Sequence, residues 1–183
     1  ARRDGHAWRA RACAILTGIG TVRDDNPQLN VRDVETPRQP LRVVVDSRLE
    51  TPLDARILQG GTTLIAGAVE NVGRIEALRS VGAEVLILFN AFGKVDLAAL
   101  LTALGGRGVN EVHAEAGFKL NGSLLREGLV DELLLYLAPC LIGHEANGLF
   151  NLPELATLDG KRRLQIRDLR QIGADIRVVA RPA

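Results

Sequence analysis

The sequence has no methionine, only two cysteines and only three histidines in its 183 residues, and each scarcity removes a class of protein. Cys13 and Cys140 lie far apart with no CxxC spacing, each inside an apolar run. They read as two reduced core thiols of a cytoplasmic protein rather than a disulfide frame. His6, His113 and His144 are scattered singly, without a ligand spacing such as HxxxH, which argues against a bound metal. Apolar runs are short: "LVDELLLYLAPCLIG", among the longest, is interrupted by charge and proline well before the roughly 20 residues of a membrane helix. The basic "ARRDGHAWRA" has no apolar stretch behind it, so it is a helical segment rather than a secretory signal. The missing methionine leads us to expect that the natural protein begins upstream of Ala1. Charge of one sign is lacking too. The 23 basic and 22 acidic residues give a net charge of +1 and are spread along the chain, so no field favours nucleic acid. Internal repeats and low-complexity linkers are absent.

What is present is a globular composition, 46% hydrophobic and 25% charged, enough to bury a core in one domain spanning residues 1–183. "CAILTG" (13–18), "LRVVVDS" (41–47), "TTLIAG" (62–67), "AEVLIL" (83–88), "NEVHAE" (110–115) and "ELLLYLAP" (132–139) read as strands bounded by turn residues. Most are apolar on both faces, the pattern of a sheet covered on two sides by helices. "VDLAALLTALGG" sets Leu97, Leu100, Leu101 and Leu104 on one helical stripe, with Asp96 as N-cap and Gly105-Gly106 as the stop. Residues 71–82 and 119–130 are further helix candidates. The last segment alternates apolar and polar residues on both sides of Gly173, which predicts an antiparallel hairpin closing the sheet.

Two glycine-bearing turns are candidates for a ligand. In "AILTGIGTVRDDNPQLNVR" (14–32) a strand runs into Gly18-Ile19-Gly20, but Arg23 stands where a Rossmann fingerprint needs its third glycine. Pro27, Pro37 and Pro40 follow with no apolar stripe, so one or two helical turns fit there and a crossover helix does not. Asp46 at the end of "VVVDS" would suit a ribose in a Rossmann site, yet without that helix the two features do not form one. In "VHAEAGFKLNGSLLREGLV" a strand delivers Glu115, Ala116-Gly117 turns the chain, and backbone amides open the next helix. Small residues at Gly117, Gly122 and Ser123 would let a pyrophosphate approach the backbone. The same residues also suit an ordinary strand-to-helix turn.

In order along the chain, "AILTGIGTVRDDNPQLNVR", "PLRVVVDS", "EAGFKLNGSLLREGLVDELLLYLAPCLIG" and the closing hairpin resemble the C-terminal reductase domain of the bifunctional riboflavin-biosynthesis deaminase/reductase, the RibD family. The specific parts are the T-V-x-x-D-N/D-P-x-L-x-V-R run, the V-V-D-S strand end, and E-A-G followed by G-S/A-L-L and L-V-D-E. The resemblance implies a dihydrofolate-reductase-like three-layer α/β/α fold, its mostly parallel central sheet ending in the antiparallel C-terminal hairpin. It implies NADPH across the carboxyl edge of the sheet, and reduction of 5-amino-6-(5-phosphoribosylamino)uracil to the ribitylamino product. Thr21, Asp25 and Ser47 match cofactor positions, and Gly117, Phe118, Lys119, Leu120, Asn121, Gly122 and Ser123 match the phosphate-binding loop.

Arg9, Leu29, Arg32 and Glu115 match substrate positions. Arginine forks at 9 and 32 suit a ribose phosphate, and Leu29 would form an apolar wall for the pyrimidine. Glu115 or Asp25 would orient the opened sugar and relay one proton, a role solvent could equally fill; Asp25 could instead cap the turn near Pro27. A homodimer is implied, as is a zinc-dependent deaminase fused to or working beside the chain; the apolar "LLLYLAP" strand and the closing hairpin are the residues that could pair across a two-fold axis. The family's first strand, with its S-L-D-G-like and S-x-W-I-like segments, has no counterpart before Ala1, and Trp8 lies too late in the motif order to replace that tryptophan. A related heterocycle reductase of the same fold, or a nucleotide-binding domain without turnover, fits the residues less specifically.

Overall fold

The computed structural model of the chain describes residues 1–143 and 148–183, so His144 lies outside the described residues. They fall into two compact units, one of residues 6–117 and one of residues 1–5 with 118–183.

The first unit is a five-stranded parallel sheet in the order β4-β3-β2-β1-β5. Its strands are β1 (Ala14–Gly18), β2 (Leu41–Val45), β3 (Thr63–Gly67), β4 (Ala83–Ile87) and β5 (Val112–Ala114). The runs read as apolar on both faces are its centre: Ile15, Val43, Val44, Leu64 and Ile65 are fully buried. Parallel pairing demands this composition, since crossover elements cover both faces. Register is fixed by pairs such as Ala14 with Leu41 on one side and with Val112 on the other. Helix α3 (Val72–Ser80) is capped by Asn71, whose side chain accepts from the Arg74 N–H at 3.1 Å. Helix α4 (Leu97–Gly106) buries Leu97, Leu100 and Leu104 as their spacing predicts. Asp96 Oδ1 accepts from the Ala99 N–H at 2.9 Å, satisfying one of the orphan amides of the first turn.

After β1 the chain makes only the seven-residue helix α2 (Ile19–Asp25). It ends on Asn26, in the left-handed region at φ 41, whose side-chain oxygen also accepts from the Arg56 N–H at 2.9 Å. Asn26, not Asp25, therefore closes this turn. The Rossmann helix is absent, as the prolines dictate. Asp46 is likewise no ribose ligand: it is fully buried, and its Oδ2 accepts from both the backbone N–H and the hydroxyl of Thr51 at 2.7 Å.

The second unit carries a three-stranded antiparallel sheet in the order β6-β8-β7: β6 (Leu133–Leu137), β7 (Leu164–Ile172) and β8 (Asp175–Pro182). The hairpin is therefore present with Gly173 at its tip (φ 66). Its ladder partner is β6, within a sheet of its own. Helix α5 (Phe118–Arg126) buries Gly122, Leu124 and Leu125. The first residues of helix α1 (Arg2–Arg11) bring Asp4 to this sheet, where Arg177 holds it at 3.0 Å and Tyr136 donates to it.

The reading of both cysteines as core thiols is corrected. Cys140 is exposed just beyond β6, and Cys13 is half-buried just before β1. Neither falls within a strand's buried run. Among the described residues no helix is long and apolar enough to cross a membrane.

Candidate functional site

Strand order puts the candidate residues together. β1 lies between β2 and β5, and the chain winds from β1 toward β4 on one side while β5 occupies the other. At such a reversal the loops beyond adjacent strand ends diverge and leave a crevice, the usual ligand position in open parallel sheets. Three neighbouring strand ends feed it: β1 leads to Thr21, β2 to Ser47, and β5 to Glu115 and Gly117.

Glu115 is the best-determined group there. Its backbone N–H donates to Leu16 O at 2.9 Å and its carbonyl accepts from the Thr17 hydroxyl at 2.8 Å, so β1 fixes its main chain. Its carboxylate takes a two-point ion pair from Arg9, Nε to Oε1 at 2.5 Å and Nη2 to Oε2 at 2.6 Å. His113 Nε2 stands 3.3 Å from Oε1. Burial by itself would raise this carboxyl, but the hydrogen bonds and charge of Arg9 and His113 overcome it and lower its pKa to about 2. Such a group is ionised throughout the neutral range. It can accept hydrogen bonds and balance charge, but it holds no proton to hand on at neutral pH; Asp25 is exposed at the end of α2.

The Arg9 fork expected to grip a phosphate is engaged by Glu115, and its remaining nitrogen Nη1 donates to Asn30 O at 3.2 Å. Arg32 is different: its guanidinium lies exposed, with Nη1 bonded to Asn30 Oδ1 at 3.0 Å. Leu29 is 4% exposed, its side chain in the core cluster with Ile15, Val22 and Val44, so that what it offers a neighbouring ligand is its main chain. Its backbone, at φ 47, makes the turn that leads into Asn30 and Arg32.

At the end of β5, a Cβ built on Gly117 would face Thr21, stopping 3.8 Å from Oγ1 with nothing nearer among the described residues. That open approach fits a ligand phosphate. Ser47 lies half-buried, its hydroxyl oxygen accepting from the Val95 N–H at 3.2 Å. The stretch read as a phosphate-binding loop is helical from Phe118 onward. Gly117 and the first-turn amides of Phe118, Lys119 and Leu120 have the geometry of a helix N-terminus, whereas those of Gly122 and Ser123 lie in the second turn and point back along the helix.

Gly122 is glycine for another reason. A Cβ there would sit 2.3 Å from Asn151 O, so the main chain of residue 151, not a ligand, occupies that space. Ser123 is also internally engaged, donating to Lys119 O at 3.2 Å and accepting from Arg126 Nη2 at 2.8 Å. Asn121 Nδ2 donates to Leu149 O at 3.5 Å.

Reading the histidines as scattered residues missed two site members. His113 contacts Glu115, and His6 sits one helical turn before Arg9 on α1. The spacing of His6 and Arg9 was the available signal, since residues three apart share a helix face.

Residues 1–178 match the model of the RibD C-terminal domain family. The chain is 37% identical over 190 residues to riboflavin biosynthesis protein RibD of Escherichia coli strain K12, an alignment covering 96% of this chain and 50% of that one. It is 31% identical to a Buchnera aphidicola protein named 5-amino-6-(5-phosphoribosylamino)uracil reductase, covering 100% of this chain and 92% of the relative. Acinetobacter baumannii RibD superposes with a TM-score of 0.87 at 33% identity, over 100% of this chain and 50% of that one. The chain spans about half the length of several curated relatives it matches. With this fold, this strand order and these matches, the chain belongs to the RibD C-terminal domain family.

Proposed function

We propose that the chain catalyses NADPH-dependent reduction of 5-amino-6-(5-phosphoribosylamino)uracil to 5-amino-6-(5-phosphoribitylamino)uracil. The observation that carries this reading is the convergence of Thr21, Ser47, Glu115 and Gly117 on adjacent carboxyl ends of the parallel sheet. The name of the Buchnera relative, which the chain covers at 92% of its length, supports the substrate.

Gly117 would let the cofactor's phosphates approach the main chain beyond β5, with Thr21 and Ser47 offering hydroxyls from the neighbouring strand ends; Asp25 stands at the end of α2. When bound, the nicotinamide supplies the hydride. The chain's own residues need only hold the opened sugar at that donor, exclude water and admit one proton. Arg32 would grip the ribose phosphate. Glu115, ionised and immobilised by Arg9, would accept from the substrate's hydroxyl or amino hydrogens, and the proton would arrive from solvent. The family match extends from residue 1 to residue 178, which supports reading the chain as a single reductase domain.

Two copies are proposed to associate through the antiparallel sheet. Its register sets Leu135, Leu137, Ile166, Leu169, Ile176 and Val178 on one face. Four of these are unusually open, Leu137 at 54%, Ile166 and Leu169 at 61% and Ile176 at 43%. A light-scattering mass equal to one chain at micromolar concentration would contradict this association. A zinc-dependent deaminase domain would supply the substrate. The reductase reading itself is tested by following NADPH absorbance with the purified chain and the phosphoribosylamino-uracil. NADPH oxidation that requires both the chain and the phosphoribosylamino-uracil is expected, and no oxidation above the rate without substrate would refute it.

A further inference from the structure

The segment that carries Arg32 has no helix or strand to hold it. Its main-chain groups go to side chains instead. Asn30 O accepts from Arg9 Nη1 at 3.2 Å; Val31 donates to Gln39 Oε1 at 2.8 Å and accepts from Gln39 Nε2 at 2.9 Å; the Arg32 N–H donates to His6 Nδ1 at 3.4 Å. Three side chains thus strap three consecutive residues, and two of them, His6 and Arg9, come from one face of α1. His6 is 4% exposed, which is unusual for a histidine. Its other nitrogen, Nε2, stands 3.6 Å from Asp33 Oδ2. These two contacts require one particular form of the ring: Nδ1 bare to accept, Nε2 protonated to face the carboxylate.

We infer that His6 is a positioning residue for Arg32, its neutral Nδ1 anchoring the Arg32 backbone so that the exposed guanidinium is presented to the substrate's phosphate. This rests on the proposed substrate role of Arg32. A proton on Nδ1 would place a donor against the Arg32 N–H and release the strap. The charged groups facing the ring are Arg9 on α1 and Arg32 and Asp33 on the strapped segment, with Glu115 beyond β5. Burial, followed by the Arg9 cation, keeps the ring below the ordinary histidine pKa, while Asp33 and Glu115 oppose this. The neutral form therefore holds at physiological pH and the anchor is lost on acidification.

The test compares wild type with His6→Asn, whose amide oxygen can stand in for Nδ1, and with His6→Leu, which has no acceptor. Amide exchange of Arg32 is followed by NMR from pH 5 to 8, alongside KM and kcat for the phosphoribosylamino-uracil. In His6→Leu the Arg32 amide is expected to exchange about tenfold faster while the Val31 amide, held by Gln39, is unchanged. KM should rise about two- to tenfold at constant kcat, the range expected for losing one hydrogen bond. His6→Asn should restore both. The wild-type Arg32 amide should lose protection in acid, and that titration should be absent in His6→Asn. An Arg32 amide indifferent to pH and to both substitutions overturns the anchor, and should His6→Leu not fold, the wild-type and His6→Asn titrations still decide it. An Arg32 amide that responds as expected while KM stays fixed overturns instead the substrate role of Arg32.

Discussion

Arg9 and Glu115 are 106 residues apart in the chain and meet as a two-point ion pair, with N to O distances of 2.5 and 2.6 Å. Through it α1 is fastened to the end of β5, and Arg9's third nitrogen extends the fastening to Asn30. A planar fork against a planar carboxylate is a geometry lysine cannot reproduce.

The pair makes stability depend on acid pH. The Glu115 carboxyl titrates near 2 in the fold against an ordinary 4.5, so the native state binds fewer protons than the unfolded chain between those values. The stabilisation, roughly 3 kcal/mol, is fully present above pH 4.5 and is lost as pH falls toward 2. Denaturant titrations of wild type and Glu115→Gln should therefore differ most at neutral pH and converge in acid. A constant difference across that range would contradict the pairing.

Gly117 and Gly122 should respond oppositely to alanine. A Cβ at Gly122 collides with Asn151 O at 2.3 Å, so Gly122→Ala should cost about 1–3 kcal/mol through forced displacement of main chain, lowering Tm by about 2–12 °C. Gly117→Ala meets nothing closer than 3.8 Å and should keep Tm while weakening NADPH binding about tenfold or more, by occupying the phosphate's approach. Calorimetry on both variants separates the structural glycine from the binding one.

These two glycines also mark the limit of what the sequence reveals. Strand positions, the α4 stripe and its Asp96 cap, the short α2 and the closing hairpin are all written locally, in alternation, spacing and proline. Whether a glycine's empty side faces a ligand or a distant carbonyl is not, because Asn151 lies 29 positions from Gly122 and no local pattern announces it. The burial of the Leu29 side chain is hidden for the same reason: it is decided by partners elsewhere in the chain. Glu115 stands out in the sequence at a strand end and Arg9 through the family resemblance, while the ion pair that joins them, and hence the ionised state of Glu115, is set by the fold.

Arg32→Ala should leave Tm within about 1 °C, since the guanidinium is exposed and, among the described residues, bonds locally to Asn30. It should lower kcat/KM for the phosphorylated substrate about ten- to hundredfold, the loss of a charge-assisted fork. Arg32→Lys should recover only part of that. Equal losses on a dephosphorylated substrate analogue would show that the arginine does not read the phosphate.

Arg177 ties together Asp4 and Asp168 at 3.0 and 2.8 Å with its side chain only 10% exposed. Burial alone would raise the Asp4 carboxyl, but Tyr136 and Arg177 pull it below its ordinary value, and Arg177 does the same for Asp168. Arg177→Met should lower Tm by several degrees at pH 7. Because both carboxyls are depressed, that deficit is present above the ordinary aspartate pKa and should shrink below about pH 4. A deficit independent of pH would mean that the arginine acts through its stem alone.

The central claim is that NADPH seats its phosphates at the carboxyl ends of β1 and β5. Hydrogen–deuterium exchange with and without NADPH tests it most directly. Protection should appear together in residues 17–21 and 115–117 and be lost in Gly117→Ala; protection confined to other segments, with these two unchanged, would contradict it.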